Sequence, residues 1–321
     1  MTRSAIVHKG RRNGLTSLEL CAGGGGAALG LEQAGFSPVA LIDSDPHSCA
    51  TLRHNRPYWN VVEADIQNFD LCYWHGVDLL SGGLPCPPFS IAGKQLGNDD
   101  DRDLFPAMLR IVSAVRPKAV LIENVRGILS KRFTEFRQHV NDSLDAEGFD
   151  THWALLDSAN FGVPQKRSRA FLVALLRNET NPLEWPDITD GPRPTVAATI
   201  GDLMAANGWK GVSDWMKKAD FPAPTIVGGS LKHGGPDLGP TRARREWAEL
   251  SVDGLGLANE PPGPDFVGMP RLTNRMLARI QSFPDDWEFI GSKTQIYRQV
   301  GNALPVGLAA AMGKAVGRCL K

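Results

Sequence analysis

Leu15-Thr16-Ser17-Leu18-Glu19-Leu20-Cys21-Ala22-Gly23-Gly24-Gly25-Gly26 reads as a buried strand running into a glycine loop. From Ala27 to Ala34 the apolar spacing turns helical, and it stops at Gly35, a natural helix end. A second apolar run, Val39 to Ile42, ends in Asp43, twenty residues beyond Gly23. Strand, glycine loop, helix, strand and acid form the front half of a nucleotide-type α/β fold. The glycines let a ligand approach the backbone, and Asp43 at a strand tip can hold a ribose diol.

Gly23, Gly25 and Ala28 satisfy G-x-G-x-x-A, which fits either NAD or S-adenosylmethionine. Glu19 leans the choice, because a carboxylate there would repel a pyrophosphate and accept a sulfonium or an ammonium. Its plain alternative is a solvated strand end. Asp65, after Val61-Val62, could take an adenine amino group or simply cap the segment that begins at Ile66.

Further along, Val77 to Leu80 reads as a strand ending at a Gly pair. Gly82-Gly83-Leu84-Pro85-Cys86-Pro87-Pro88-Phe89-Ser90 then sets one thiol between prolines, on a backbone that suits neither helix nor sheet. That restraint suits a nucleophile, and equally a structural cysteine in a turn. The polar stretch Ser90 to Arg102 is long enough to be a mobile loop. A helix is expected from Leu104 to Val115, and a buried strand from Lys118 to Ile122 ending at Glu123-Asn124-Val125. Two more strands, Thr151 to Leu156 and Arg167 to Leu176, flank Gln165-Lys166-Arg167-Ser168-Arg169. Strand periodicity puts Gln165, Arg167 and Arg169 on one face, where two arginines need an anionic or carbonyl-rich partner.

From Asn178 to Pro270 the chain is rich in Pro, Gly and Trp with little periodicity, a second, irregular domain. Lys232 and His233 among glycines, and Arg242, Arg244 and Arg245, could enter a DNA groove or form an ordinary solvated surface. Arg271, Arg275 and Arg279, four apart, form a phosphate-facing stripe or a wet one. Gly301-Asn302-Ala303-Leu304-Pro305 precedes a helix kept slim by Gly307, Ala309, Ala310, Ala311 and Gly313, able to pack closely.

Bulk properties exclude several classes. The 321 residues suit about two domains, and 42% hydrophobic with 22% charged residues excludes a disordered chain or a fibre. Lys plus Arg equals Asp plus Glu, 35 against 35, so any basic surface is local. Five cysteines without a C-x-x-C pair argue against structural zinc and fit a reducing compartment. The longest apolar run, Ala170 to Leu176, is too short to span a membrane. Arg3, Lys9, Arg11 and Arg12 precede no apolar segment, so no signal peptide is expected.

In their order these segments resemble the bacterial DNA (cytosine-5) methyltransferases of restriction–modification systems. Leu20 to Gly26 resembles the family's cofactor loop, Gly83-Leu84-Pro85-Cys86 its nucleophile motif, and Glu123-Asn124-Val125 its acid motif. Gln165-Lys166-Arg167-Ser168-Arg169 matches its Q-x-R-x-R. Arg271-Leu272-Thr273 through Gln281-Ser282-Phe283-Pro284-Asp285, and Gly301 to Pro305, complete the series. Three positions depart from the family: Pro87 where Gln is usual, Asp43 where Glu is commoner, and Arg102-Asp103 where Arg-Gly is usual.

The resemblance implies a mostly parallel Rossmann-like methyltransferase sheet flanked by helices, plus a smaller irregular target-recognition domain. It assigns 1–177 and 295–321 to the catalytic domain and 178–294 to target recognition. The implied cofactor is S-adenosyl-L-methionine, leaving as S-adenosyl-L-homocysteine, with no metal. Its contacts would be Leu20, Cys21, Ala22, Gly23, Gly25, Asp43, Asp65, Ile66, Pro85, Leu104, Asn302 and Ala303. Cys86 would attack carbon 6 of a flipped cytosine to activate carbon 5, though at a free pKa of about 8.5 only about 3% is thiolate at neutral pH. Glu123 would hold a proton at ring nitrogen 3, its carboxyl kept protonated by burial or by the base. Arg169, with Arg167 beside it, would meet the ring carbonyl. Ser90, Arg102, Gln165, Lys232, His233, Arg242, Arg244 and Arg245 would contact DNA. The expected partner is double-stranded DNA, met by a cytoplasmic, nucleoid-associated monomer without a membrane or a stable complex with a cognate restriction endonuclease. An RNA cytosine-5 methyltransferase, an NAD-dependent oxidoreductase and a catalytically silent DNA-binding relative are the rival readings.

Overall fold

The computed structural model describes residues 14–68, 72–85, 103–228 and 237–320. Cys86, Pro87, Ser90, Arg102, Lys232 and His233, singled out in the sequence, lie outside the described residues.

Strand β1 (Leu15–Leu20) passes through the glycine loop into α1 (Gly26–Gln33), followed by β2 (Phe36–Asp43), α2 (Pro46–Asn55) and β3 (Val61–Glu63). Then come β4 (Leu79–Gly83), α3 (Phe105–Val115), β5 (Ala119–Val125), α4 (Thr134–Ala146), β6 (Phe149–Asp157) and β7 (Ser168–Leu176). The sheet order is β3-β2-β1-β4-β5-β7-β6, parallel up to β5, with β7 antiparallel to both its neighbours. This is the expected mostly parallel Rossmann-like sheet flanked by helices. Order reverses between β1 and β4, and a crevice outside their carboxyl ends is where such sheets take ligands.

Several strands outrun the apolar pattern. β4 continues through Gly82 and Gly83, and β5 through Glu123 to Val125, because Gly82 pairs with Ile122 and Gly83 with Glu123 in a parallel ladder. Main-chain pairing extends a strand wherever a neighbour supplies the partner groups, whatever the side chain.

One sheet face carries Leu18, Leu20, Leu80, Ile122 and Leu172 into a core with α3 and α4. The other carries Leu79, Leu121, Phe171 and Val173 against α1 and α10 (Val306–Cys319). The slim α10 lies close to α1, as its small residues require. A Cβ at Gly30 would stand 2.4 Å from the Ala309 Cβ, and one at Gly313 would stand 2.7 Å from the Ala34 Cβ.

The irregular region supplies α5 (Val196–Ala205), α6 (Val212–Lys218) and α7 (Thr241–Glu249), followed by α8 (Asn274–Ile280) and α9 (Lys293–Asn302). Its core of Ile200, Met204, Trp209, Trp215, Trp247 and Leu272 is continuous with Leu41, Leu52 and Trp59 of the first layer. The arginine stripe takes the wet one of its two readings at Arg271 and Arg275, which are exposed, and its cations are paired within the chain. Arg275 and Arg279 both pair with Asp285, Arg279 also with Asp202, and Arg271, before the helix, pairs with Asp253. These arginines tie α8 to its own surroundings. Among the described residues no helix is long and apolar enough to cross a membrane.

Candidate active site

The glycine loop is closed by the acid that follows it. Gly23 donates its amide to Asp43 Oδ2 at 2.7 Å, and Asp45 donates to Oδ1 at 2.8 Å. Gly23 has φ 54°, and a Cβ built there would meet nothing within 4 Å, so this turn faces open space. Gly25 faces the other way, where a Cβ would stand 2.6 Å from the Trp287 ring, and Trp287 Nε1 donates to Gly24 O at 3.1 Å. A Cβ at Gly26 would stand 2.2 Å from Leu304 O. At Gly23 the left-handed backbone favours glycine, and at Gly25 and Gly26 the chain that returns from α8 and α9 leaves no room for a side chain.

Beside it lies a cavity of about 270 Å³. Of the expected cofactor residues, Cys21, Ala22, Gly23, Asp43, Asn302 and Ala303 line it. Leu20, Gly25, Asp65, Ile66, Pro85 and Leu104 are not on its wall. Leu20 and Ile66 are buried in the core beneath the sheet, with Leu104 packed against it. Asp65 Oδ1 accepts the Gln67 amide at 2.9 Å and fastens a turn, with no helix beginning at Ile66 for it to cap. The wall adds Glu19, Ser81, Glu123 and Arg298.

Glu19 is no solvated strand end. It is 1% exposed, and its Oε2 has no partner among the described residues. Burial, reinforced by the charge of Asp43, pushes its carboxyl up to about 8. Asp43 is also raised, chiefly by burial. Burial and the surrounding carboxylates Asp43, Asp65 and Glu19 push the Cys21 thiol up to about 12, and Cys49 rises to about 11, mainly through burial. Both remain thiols at neutral pH, so neither is an activated nucleophile.

The catalytic candidates converge from β5 and β7. Val125 pairs with Arg169 and Glu123 with Phe171, so both polar side chains leave the sheet on the α1–α10 face. Arg169 Nε lies 2.8 Å from Glu123 Oε1. Gly83 is in register with Glu123, and a Cβ there would stand 3.3 Å from Glu123 Oε2. On the opposite face the next residue, Asn124, is 3% exposed and donates from Nδ2 to Leu84 O at 3.0 Å. Adjacent residues of one strand thus divide two tasks: Glu123 faces the cavity, and Asn124 grips the chain two residues before Cys86.

Arg167 and Arg169 separate. Arg167 is 2% exposed and donates from Nη1 to Ile226 O at 2.7 Å and from Nη2 to Gly301 O at 2.9 Å. Its partners are the carbonyls that a buried cation requires, and they join β7 to the irregular region and to the end of α9. The expectation that Gln165 meets DNA is corrected. Gln165 is fully buried, its Nε2 donating to Gln281 Oε1 at 2.7 Å and its Oε1 accepting the Ile226 amide at 2.9 Å. The exposed neighbour is Lys166, which sequence periodicity put on the opposite face. With Thr225 and Arg242 it lines a second cleft of about 650 Å³. On α7, Arg242 pairs with Glu246 and Arg244 donates to Thr241 Oγ1. Arg245 is exposed and has no ion pair among the described residues.

The family model of C-5 cytosine-specific DNA methylase matches residues 15–233 and 237–318. Type II methyltransferase M.NaeI of Lentzea aerocolonigenes is 50% identical over 308 residues, covering 94% of this chain and 74% of that protein. Type II methyltransferase M.NgoMIV of Neisseria gonorrhoeae is 48% identical over 311 residues, covering 95% and 98%. Among solved structures, a DNMT2 variant from Spodoptera frugiperda superposes with a TM-score of 0.65 at 21% identity, covering 94% of this chain and 99% of that one. A putative DNA modification methyltransferase from an Escherichia coli prophage gives 0.61 at 20% identity, covering 94% and 98%.

Proposed function

This chain belongs to the C-5 cytosine-specific DNA methylase family and is a DNA (cytosine-5) methyltransferase; on that premise we propose which residues carry its reaction. The observation that carries the proposal is the Glu123–Arg169 pair on the wall of an acid-lined cavity, beside the strand that leads to Cys86.

The cavity suits S-adenosylmethionine. Open space at Gly23, the Asp43 carboxylate, and the partnerless oxygen of Glu19 fit a ribose and a positively charged ligand. When bound there, that group supplies an electrophilic methyl. The protein's own residues make carbon 5 of cytosine able to accept it. Cys86 adds to carbon 6 of a cytosine flipped from the duplex, and the electron pair moves towards carbon 5. Glu123 holds a proton at ring nitrogen 3. Arg169, fixed by Glu123, donates to the ring carbonyl oxygen as charge develops. Arg167 anchors the site's frame and does not share the ring. Loss of the carbon 5 proton to a base then expels the thiol and restores the ring.

We assign 1–177 and 295–321 to catalysis and 178–294 to target recognition, with Arg242, Arg244, Arg245 and Lys166 as phosphate or base contacts. The enzyme acts as a cytoplasmic monomer on double-stranded DNA, without a stable endonuclease complex. Tritiated S-adenosylmethionine offered with duplex DNA or with tRNA tests the substrate class, and label appearing only in tRNA defeats the reading. A covalent trap on 5-fluorocytosine DNA should form with the native protein and not with Cys86→Ala. A trap that survives the substitution removes Cys86 from the mechanism.

A further inference from the structure

Four carboxylates line the first cavity: Glu19, Asp43, Asp45 and Glu123. Among the described lining residues Arg298 is the one cation. Three of the acids have partners on the protein: Asp43 holds the Gly23 and Asp45 amides, Asp45 holds Ser48, and Glu123 holds Arg169. Arg298 has no hydrogen bond or ion pair among the described residues, although acids stand around the same space.

Its backbone is firmly placed. Arg298 sits on α9 four residues before Asn302, so both project from one side of the helix, and both reach the cavity. Neighbouring α9 residues fasten that helix to α2: Gln295 meets the His47 ring at 2.6 Å, and Thr51 Oγ1 donates to Gln299 Oε1 at 2.7 Å. A partly buried guanidinium held at a ligand space, with its fork unused, is a receptor for an anion that arrives with the ligand.

S-adenosylmethionine has a sulfonium, an ammonium and a carboxylate. The acids suit the first two, and the like charges of Asp43 and Asp45 repel the third, whereas Glu19 keeps its proton and Glu123 is offset by Arg169. We infer that Arg298 receives the amino-acid carboxylate of the bound methyl donor, a reading that rests on the cavity being the S-adenosylmethionine site. The fork accepts the carboxylate by paired N–H donation and offsets the acids around it.

Calorimetric binding of S-adenosylmethionine, S-adenosylhomocysteine and decarboxylated S-adenosylmethionine to native protein, Arg298→Gln and Arg298→Lys tests this directly, without turnover. Arg298→Gln should weaken the two carboxylate-bearing ligands about 10- to 100-fold and leave the decarboxylated ligand within about twofold. Arg298→Lys should recover part of the loss, and it carries the test if the Gln variant is poorly folded. Equal weakening of all three ligands assigns Arg298 to the frame and overturns the inference. No weakening overturns it too. Native protein that binds none of the three defeats the cavity assignment itself, a result distinct from failure at Arg298.

Discussion

Glu123 and Arg169 meet at 2.8 Å across antiparallel strands β5 and β7, two registers apart along the pair. Each locks the other's rotamer, so on the proposed mechanism a planar substrate would meet a preorganised acid and cation. Glu123→Gln should lower kcat about 10²- to 10⁴-fold. Arg169→Ala should cost about 10²- to 10³-fold, with S-adenosylmethionine affinity changed less than threefold in either variant. Single-turnover methylation with calorimetric binding checks both, and a loss confined to cofactor affinity would remove the pair from chemistry.

Arg167 predicts the opposite profile. Its two carbonyl partners belong to residues 226 and 301, so Arg167→Ala leaves buried acceptors unsatisfied between two parts of the molecule. The expected cost is about 2–4 kcal/mol of stability. Urea denaturation of Arg167→Ala and Arg169→Ala side by side should show the larger midpoint fall at Arg167.

Glu19 makes stability depend on pH in a defined direction. The folded acid keeps its proton up to about 8, against an ordinary value of 4.5. Across that window the native state binds the extra proton, so this group's contribution is complete below 4.5 and is lost as pH rises through 8. The slope is at most about 1.4 kcal/mol per pH unit. Urea midpoints at several pH values for the native chain and Glu19→Gln should show a flatter fall in the variant. Parallel curves would count against a neutral buried Glu19.

Gly30→Ala tests the α1–α10 contact. The added methyl would stand 2.4 Å from the Ala309 Cβ and 2.7 Å from Ala310 N, so the helices must separate. The overpacking should cost about 1–3 kcal/mol despite alanine's better helix propensity. A thermal midpoint equal to or above the native one would contradict this packing.

Arg245, exposed on α7, should act on DNA through charge alone. Arg245→Ala should weaken duplex binding and reduce the slope of log K against log salt by about 0.9. Fluorescence anisotropy at several salt concentrations reads it, and an unchanged slope would free Arg245 from phosphate contact.

The front of the fold was legible because local rules coincide there. Apolar runs, glycines and the twenty-residue spacing to Asp43 each followed from backbone sterics, and one hydrogen bond from Gly23 to Asp43 joins them. Glu123 and Arg169 were legible as candidates, Glu123 from its place at the tip of a parallel strand and Arg169 because an arginine on the face of an otherwise apolar strand signals a partner. What failed was any reading that required knowing which surface covers a face.

By itself, then, the sequence determined the strand–loop–helix order, the slim α10, the acid and arginine candidates and the family they resemble. Tertiary structure alone decided that Gln165 is buried against Gln281, that Arg167 serves carbonyls while Arg169 serves Glu123, and that Arg275 and Arg279 face Asp285. Periodicity fixes a side chain's direction relative to its own strand or helix. Whether solvent, DNA or another part of the chain lies in that direction depends on contacts more than a hundred residues apart, such as Gln165 with Gln281 and Arg167 with Gly301, and no local pattern encodes them.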